Sequence, residues 1–151
     1  MMAFQRLFDG FNEDERGVNL VEMALVIMLL LIAMAGAVDI GRAFNHYIII
    51  TNAAREGART ASRTPCKEDN HTQLRNAIVS AVLREATESG IALTGDDVTI
   101  LPDPVANGCA AAGAPIVVRV NFQMTTIMGG ILGYGEIPLQ SEVQMVFFGS
   151  D

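Results

Sequence analysis

The sequence predicts an α+β protein, in which one long N-terminal helix packs on a small head with a second helix and an antiparallel sheet of about three strands. Three observations predict this fold. A long apolar run leads directly into amphipathic helical spacing that continues to about Arg63. A shorter helical pattern begins near Leu74 and stops at Gly90. Two segments near the C-terminus then alternate apolar and polar residues, as half-buried strands do.

Length and charge narrow the function classes. A chain of 151 residues fits one modest domain, and much of it is committed to the opening helix. Half of the residues are hydrophobic, largely because of the apolar run. The net charge of −7 argues against nucleic acid as a partner, since a nucleic-acid-binding surface needs a basic face to neutralise phosphates.

The apolar run from Val18 to Val38 has the length and composition of a membrane-spanning helix. A span needs about 20 predominantly apolar residues, and only Glu22 interrupts this run. A buried helix of a soluble core is a poor alternative, because the run is apolar on every face. We expect the membrane-spanning part to cover about residues 18–40.

A cleaved secretory signal is the main rival interpretation of the run. Ala35, Gly36 and Ala37 resemble the small residues that precede a signal-peptidase site. Two observations count against cleavage there. The residues before the run carry only Arg6 and Arg16 against four acidic side chains, and the helical pattern continues through the supposed site.

Glu22 is the informative residue of the run, because a carboxylate near the end of a spanning helix is costly. In one interpretation, its side chain simply reaches the headgroup level. In the other, it pairs with a cation from another chain, such as a free α-amino group.

Beyond Asp39, no proline or cap stops the helix until Thr64-Pro65, where the residue before proline leaves the helical region. The rod would be roughly 65–70 Å long, and only about half of it fits in a bilayer. Ala33, Ala37 and Gly41 follow one another at i, i+4 spacing and form a small-residue stripe that would let another helix approach closely.

A second narrow face follows at helical spacing and comprises Ile50, Ala54, Gly57, Ala58 and Ala61. Two interpretations remain open for it. These residues pack against the protein's own head, or they pack against a helix of another chain.

The two cysteines, Cys66 and Cys109, form no CxxC pair and have no histidine nearby in sequence at zinc-ligand spacing. We therefore predict no metal site. A disulfide is favoured over two unpaired buried thiols, because an exported domain meets an oxidising compartment. In the chain-entropy model, closing so long a loop stabilises a domain by about 4 kcal/mol.

The head contains three predicted strands, at Val98–Leu101, Ile116–Met124 and Ile137–Phe147. We expect loops between them, at residues 102–115 and 127–135. The second loop is apolar and rich in glycine. It is either tucked against the head's own core or forms a contact surface for a neighbouring subunit or the membrane.

No catalytic constellation is visible. The sequence has no nucleophile, base and acid set in a plausible context and no phosphate-binding glycine loop, so we predict neither enzymatic activity nor a cofactor. His46 has no partner at metal-ligand spacing, and its predicted role is structural. Asp96 and Asp97 are adjacent in a turn, where acidic residues commonly cap and solvate the chain.

Three blocks of the opening helix together resemble a known family. A glycine followed five residues later by a carboxylate, within an apolar helix, resembles the cleavage junction of type IV prepilins. The whole pattern is similar to the TadE-like family, pilin-like proteins associated with tight-adherence (Flp-type) pili. The blocks are Arg16-Gly17 with Leu20-Val21-Glu22, Asp39-Ile40-Gly41-Arg42-Ala43, and Asn52-Ala53-Ala54-Arg55-Glu56-Gly57-Ala58-Arg59.

The resemblance implies a chain organisation and a set of partners. A prepilin peptidase would cut between Gly17 and Val18, leaving residues 1–17 as a cytoplasmic leader, residues 18–64 as the helix and residues 65–151 as an extracytoplasmic head. The new amine of Val18 could then pair with Glu22 of a neighbouring subunit. Implied partners are like or related pilin subunits, the assembly platform in the inner membrane, and membrane lipid.

A function of a different class remains open. The chain could be a single-pass membrane protein whose head is a binding or regulatory module and which never polymerises.

Overall fold

The computed structural model describes residues 2–67, 69–133 and 135–148, with side chains described from Gly17 onward except at residues 131 and 132. The predicted α+β class and three-stranded antiparallel sheet are confirmed. In chain order the elements are α1 (Met2–Arg63), α2 (His71–Glu88), a 3₁₀ turn (Gly95–Asp97), β1 (Val98–Leu101), α3 (Pro104–Asn107), β2 (Pro115–Thr125), α4 (Ile127–Leu132) and β3 (Glu136–Val146).

Helix α1 is continuous through the apolar run and into the head. It ends at Arg63, directly before Thr64-Pro65, as the proline rule predicts. Its start lies at Met2, upstream of the start predicted at Val18. No proline lies between these two residues, and an isolated glycine such as Gly17 costs a helix only about 1 kcal/mol relative to alanine.

The sheet has the order β1-β2-β3, with both pairs antiparallel. Val118 in the central strand lies opposite Ile100 on one side and Val143 on the other. The predicted alternation in β2 is present, since its buried residues occur at every second position. On the opposite face, Arg119 and Glu142 are direct cross-strand partners and form an ion pair of 2.7 Å.

The head core lies between the sheet, α2 and the C-terminal half of α1. From α1 it receives mostly alanines, and from α2 and the sheet it receives larger aliphatic side chains. Small residues on α1 allow α2 to approach closely, as the surroundings of Gly57 show. A Cβ at this position would lie 2.5 Å from Cγ2 of Val82 and 3.2 Å from Cγ1 of Val118.

Three polar contacts show how the C-terminal half of the head lies along α1. The Asp39 carboxylate accepts hydrogen bonds from the first residues of α4, Thr51 and Ser141 share a hydroxyl hydrogen bond of 2.9 Å, and the amide of Phe148 donates to the carbonyl of Ser62. The β2–β3 connection therefore lies at the end of the head nearest the apolar run, and Phe148 lies at the opposite end.

Two segments predicted as loops contain short helices. In α3, the Asp103 carboxylate accepts a hydrogen bond of 2.8 Å from the amide of Val105, and proline occupies the first turn. In α4, the Thr126 hydroxyl accepts from the amide of Gly129 at 2.8 Å, and Gly133 ends the helix with φ of 81°. Both helices are too short for a periodic apolar pattern, so the cap residues are their main sequence signal.

We predict that Gly57→Ala destabilises the head. Overpacking against Val82 costs about 1–3 kcal/mol, and the better helix propensity of alanine offsets up to about 1 kcal/mol, so the free energy of unfolding should fall by roughly 1–2 kcal/mol. Urea unfolding of the full chain in detergent micelles, followed by near-ultraviolet circular dichroism, measures this change.

Gly41→Ala is the matched control on the same helix, because a Cβ there would meet nothing within 4 Å. Its unfolding midpoint should be unchanged or slightly higher. Equal midpoints for Gly57→Ala and the unaltered chain would show that α1 and α2 do not approach this closely.

Candidate functional site

The apolar run of α1, from Val18 to Val38, projects its side chains away from the head. Within the residues whose side chains are described, one helical segment, Gly17–Arg63 of α1, is long and apolar enough to cross a membrane, with a mean hydropathy of 2.6 in its most apolar window. Only 6 % of that window is buried in the protein. The run is therefore not a core helix of the head, and its apolar surface is compatible with a single membrane span.

The predicted cleavage junction lies inside this helix. Gly17, Val18 and Glu22 are all exposed, and Val18 and Glu22 lie one turn apart on the same face. In the uncut chain the nitrogen of Val18 is a peptide group, so a cation for Glu22 arises at this position only if the bond after Gly17 is cut. The structure shows that Val18 and Glu22 are exposed, and their roles in cleavage and pairing stay predictions.

The first small-residue stripe also remains free. Ala33, Ala37 and Gly41 are exposed, and no atom lies within 4 Å of where a Cβ of Gly41 would be. The stripe lies on a different side of α1 from Asp39, which faces the head. Another helix could approach this stripe closely without displacing the head.

The second stripe is used within the chain. Ala54, Gly57 and Ala58 are buried in the head core, where Gly57 meets Val82 of α2. Of the two interpretations left open by the sequence, the structure corresponds to packing against the protein's own head.

The structure shows a contact of Asp39 that the sequence did not predict. Although it directly follows the apolar run, its side chain is buried and accepts hydrogen bonds from the amides of Ile127 and Met128, at 2.9 and 2.8 Å. The guanidinium of Arg42 lies 3.6 Å away. A carboxylate at a helix N-terminus satisfies amides that have no partner within the helix. Asp39 thereby joins the end of the apolar run to α4, across 88 residues of sequence.

At the other end of the head, the sulfurs of Cys66 and Cys109 are bonded to each other, with their Cα atoms 5.6 Å apart. The bond ties the segment just after α1 to the loop that follows α3. The fold also brings His71 to this bond, with Nε2 3.4 Å from the sulfur of Cys109. Sequence spacing could not show this neighbour. Cys66, His71 and Cys109 thus lie close together, but sulfurs joined in a disulfide offer no thiolate ligands. The three residues therefore do not indicate a metal site.

His46 packs against the sheet. Its ring centroid lies 5.2 Å from that of Phe122, and its Nδ1 is buried with no hydrogen-bond partner among the residues that the structure describes. Burial, with a smaller contribution from the charge of Arg42, lowers the pKa of His46 and favours the neutral ring. This environment agrees with the structural role predicted for the residue.

Comparison with known proteins links this site to one family. The family model described as TadE-like protein matches residues 17–59. The resemblance predicted from the sequence is confirmed. The match covers less than a third of the chain. It includes the predicted junction, the exposed apolar run, the whole first small-residue stripe and the second stripe as far as Ala58. No curated protein and no solved structure matches the chain.

We predict that Asp39→Ala opens α4 without unfolding the head. The substitution removes the acceptor of two amides, so hydrogen exchange at Ile127 and Met128 should accelerate by about tenfold or more. Exchange in α2 should not change. Hydrogen exchange of the full chain in micelles, read by mass spectrometry or NMR, measures both.

Asp103→Ala is the matched control, since Asp103 accepts from the amide of Val105 in the same way. It should accelerate exchange at Val105 and leave Ile127 unaffected. If Asp39→Ala leaves exchange at Ile127 and Met128 unchanged, Asp39 does not hold α4.

Proposed function

We propose that the protein is a pilin-like structural and assembly subunit of a tight-adherence pilus, held in the membrane and assembled through its N-terminal helix. The observation that carries the proposal is the TadE-like match over residues 17–59, a segment whose apolar half is exposed. A helix whose apolar side chains have almost no partner among the described residues needs either lipid or other helices around it.

The proposed mechanism has three steps. The apolar run first anchors the chain in the cytoplasmic membrane with the head outside. A prepilin peptidase then removes residues 1–17. Finally, the helix leaves lipid for a bundle of related helices, exchanging one set of apolar contacts for another with the help of the assembly platform. In this role the protein is an assembly component rather than an enzyme.

The exposed stripe of Ala33, Ala37 and Gly41 supports the last step. Small residues at i, i+4 spacing let helix backbones approach closely, which favours helix association where lipid and side chains are equally apolar. The packing of the second stripe within the head also supports this step. It holds the head to the helix and leaves the first stripe exposed for another helix.

We expect the processed protein to begin at Val18. Glycine lacks a side chain and lets a protease approach the backbone closely, so Gly17→Val should block the cut and leave the full-length chain. Mass spectrometry of the protein purified from membranes measures its N-terminus directly.

Gly36→Val is the matched control, because it alters the glycine of the rival signal-peptidase site. It should leave a start at Val18 unaffected. A start at Val38, or an intact Met1 in cells that assemble pili, would contradict the proposed processing.

Glu22 should be needed for assembly after processing. A buried carboxylate and ammonium are favourable only as a pair, so Glu22→Ala would leave the Val18 amine of a neighbouring chain unpaired. We expect a strong loss of the protein from sheared pili while its membrane level and its start at Val18 are kept. Glu22→Asp, which retains the charge, should preserve part of the assembly. Normal incorporation of Glu22→Ala would refute this pairing.

The alternative, a non-polymerising single-pass protein with a binding or regulatory head, is favoured by no particular contact in the described residues. It predicts a protein that stays in the membrane fraction and is absent from sheared pili.

A further inference from the structure

The contact between Asp39 and α4 fixes where one part of the head lies relative to the membrane. At about 1.5 Å per residue, the run from Val18 to Val38 is about 31 Å long, close to the hydrocarbon thickness of a bilayer. Asp39 therefore lies at the boundary between hydrocarbon and headgroups. Because the amides of Ile127 and Met128 bond to its carboxylate, α4 lies at the same depth.

The register of the sheet supports the same placement. Ser141 of β3 is bonded to Thr51, and Phe148 lies beside Ser62, so β3 approaches the apolar run as it is followed back toward its start. The start of β3 and the end of β2 are therefore the parts of the sheet nearest the membrane, and α4 joins them.

The chemistry of this end of the head suits lipid. No charged residue occurs from Thr126 to Gly135. Ile127 in α4 and Ile137 at the start of β3 are exposed, at 46 % and 44 %. On α1, Ile40 and Phe44 are exposed too and lie within about 9 Å of the end of the run along the helix axis, within the depth of the headgroup layer.

We propose that this surface, which we call the apolar base and define as Ile40, Phe44, Ile127 and Ile137, rests in the headgroup layer of the outer leaflet. The inference rests on the proposed membrane anchoring and adds that the head itself binds the lipid surface. Apolar side chains at this depth contribute by burial rather than charge. With a net charge of −7, the chain has no general electrostatic attraction to anionic lipid, so zwitterionic lipid suffices as the partner.

Continuity with the apolar run favours lipid over a second copy as the occupant. An exposed apolar face of α1 continues from the run into the apolar base, because Ala37, Ile40 and Phe44 follow at i, i+3 and i+7 on one side of the helix. A lipid layer that surrounds the run necessarily reaches this depth on every side of the helix, whereas a second chain would cover one side.

The absence of tryptophan from the sequence allows a direct test. Single tryptophans are introduced into the full chain as Ile127→Trp and Ile40→Trp in the apolar base, Leu29→Trp near the middle of the run, and Phe148→Trp at the far end of the head. Each variant is reconstituted at low density in phosphatidylcholine vesicles whose acyl chains carry bromine at a shallow or a deep position. Circular dichroism confirms that each variant is folded.

We expect shallow bromine to quench Ile127→Trp and Ile40→Trp by about half, and deep bromine to quench them less. Deep bromine should quench Leu29→Trp most strongly. Phe148→Trp should not be quenched, since Ser62 beside it lies about 35 Å further along α1 than Asp39.

Each other outcome overturns a defined part of the proposal. Quenching of Leu29→Trp without quenching of Ile127→Trp and Ile40→Trp would refute the apolar base and leave the anchoring intact. No quenching of Leu29→Trp would refute the anchoring and the apolar base together. If the emission of Ile127→Trp changes only when protein density in the vesicle is raised, the apolar base binds a second copy instead of lipid.

Discussion

The structure depends on one helix that must satisfy two environments along its length. In its C-terminal half, α1 supplies the head core with Ile50 and a series of alanines, and both α2 and the sheet pack against it. In the apolar run, the same helix has almost no contact with the other described residues. Because a continuous helix transmits position and rotation from one half to the other, the orientation of the span and the orientation of the head are set together.

Asp39 connects the two halves of α1 to the head at the point where they meet. It lies where the apolar run ends, and its carboxylate is used within the protein to cap α4 rather than exposed to solvent. The contact removes an unpaired charge from the boundary of the run and two unpaired amides from the start of a short helix. The contact also holds the β2–β3 connection, which has no charged residue from Thr126 to Gly135, against α1 at this boundary. At the opposite end, the disulfide performs the comparable task of joining the segment after α1 to the rest of the head.

The two small-residue stripes of α1 illustrate how one sequence pattern serves two purposes. Both have helical spacing, and both permit a close neighbour. The second stripe is occupied by α2 and β2, with Gly57 where no side chain fits, whereas the first has no neighbour in the described chain. A subunit that keeps its head fixed and offers a free helix surface has the arrangement that the proposed filament role requires.

The sequence alone determined the elements with strong periodicity: the apolar run of α1, its stop at Thr64-Pro65, α2, and the alternating strands β2 and β3. These patterns report which faces are buried, and burial is a local consequence of residue spacing. The proposed junction at Gly17 and Glu22 was also predicted from the sequence, because it depends on residues close together in the chain. Tertiary structure decided which stripe is occupied, that α3 and α4 are helical, and that Asp39 faces α4 while His71 faces Cys109. Most of those contacts join residues tens of positions apart. Their energies depend on how deeply each side chain is buried and which neighbour it faces in the folded protein, and no local sequence pattern encodes either.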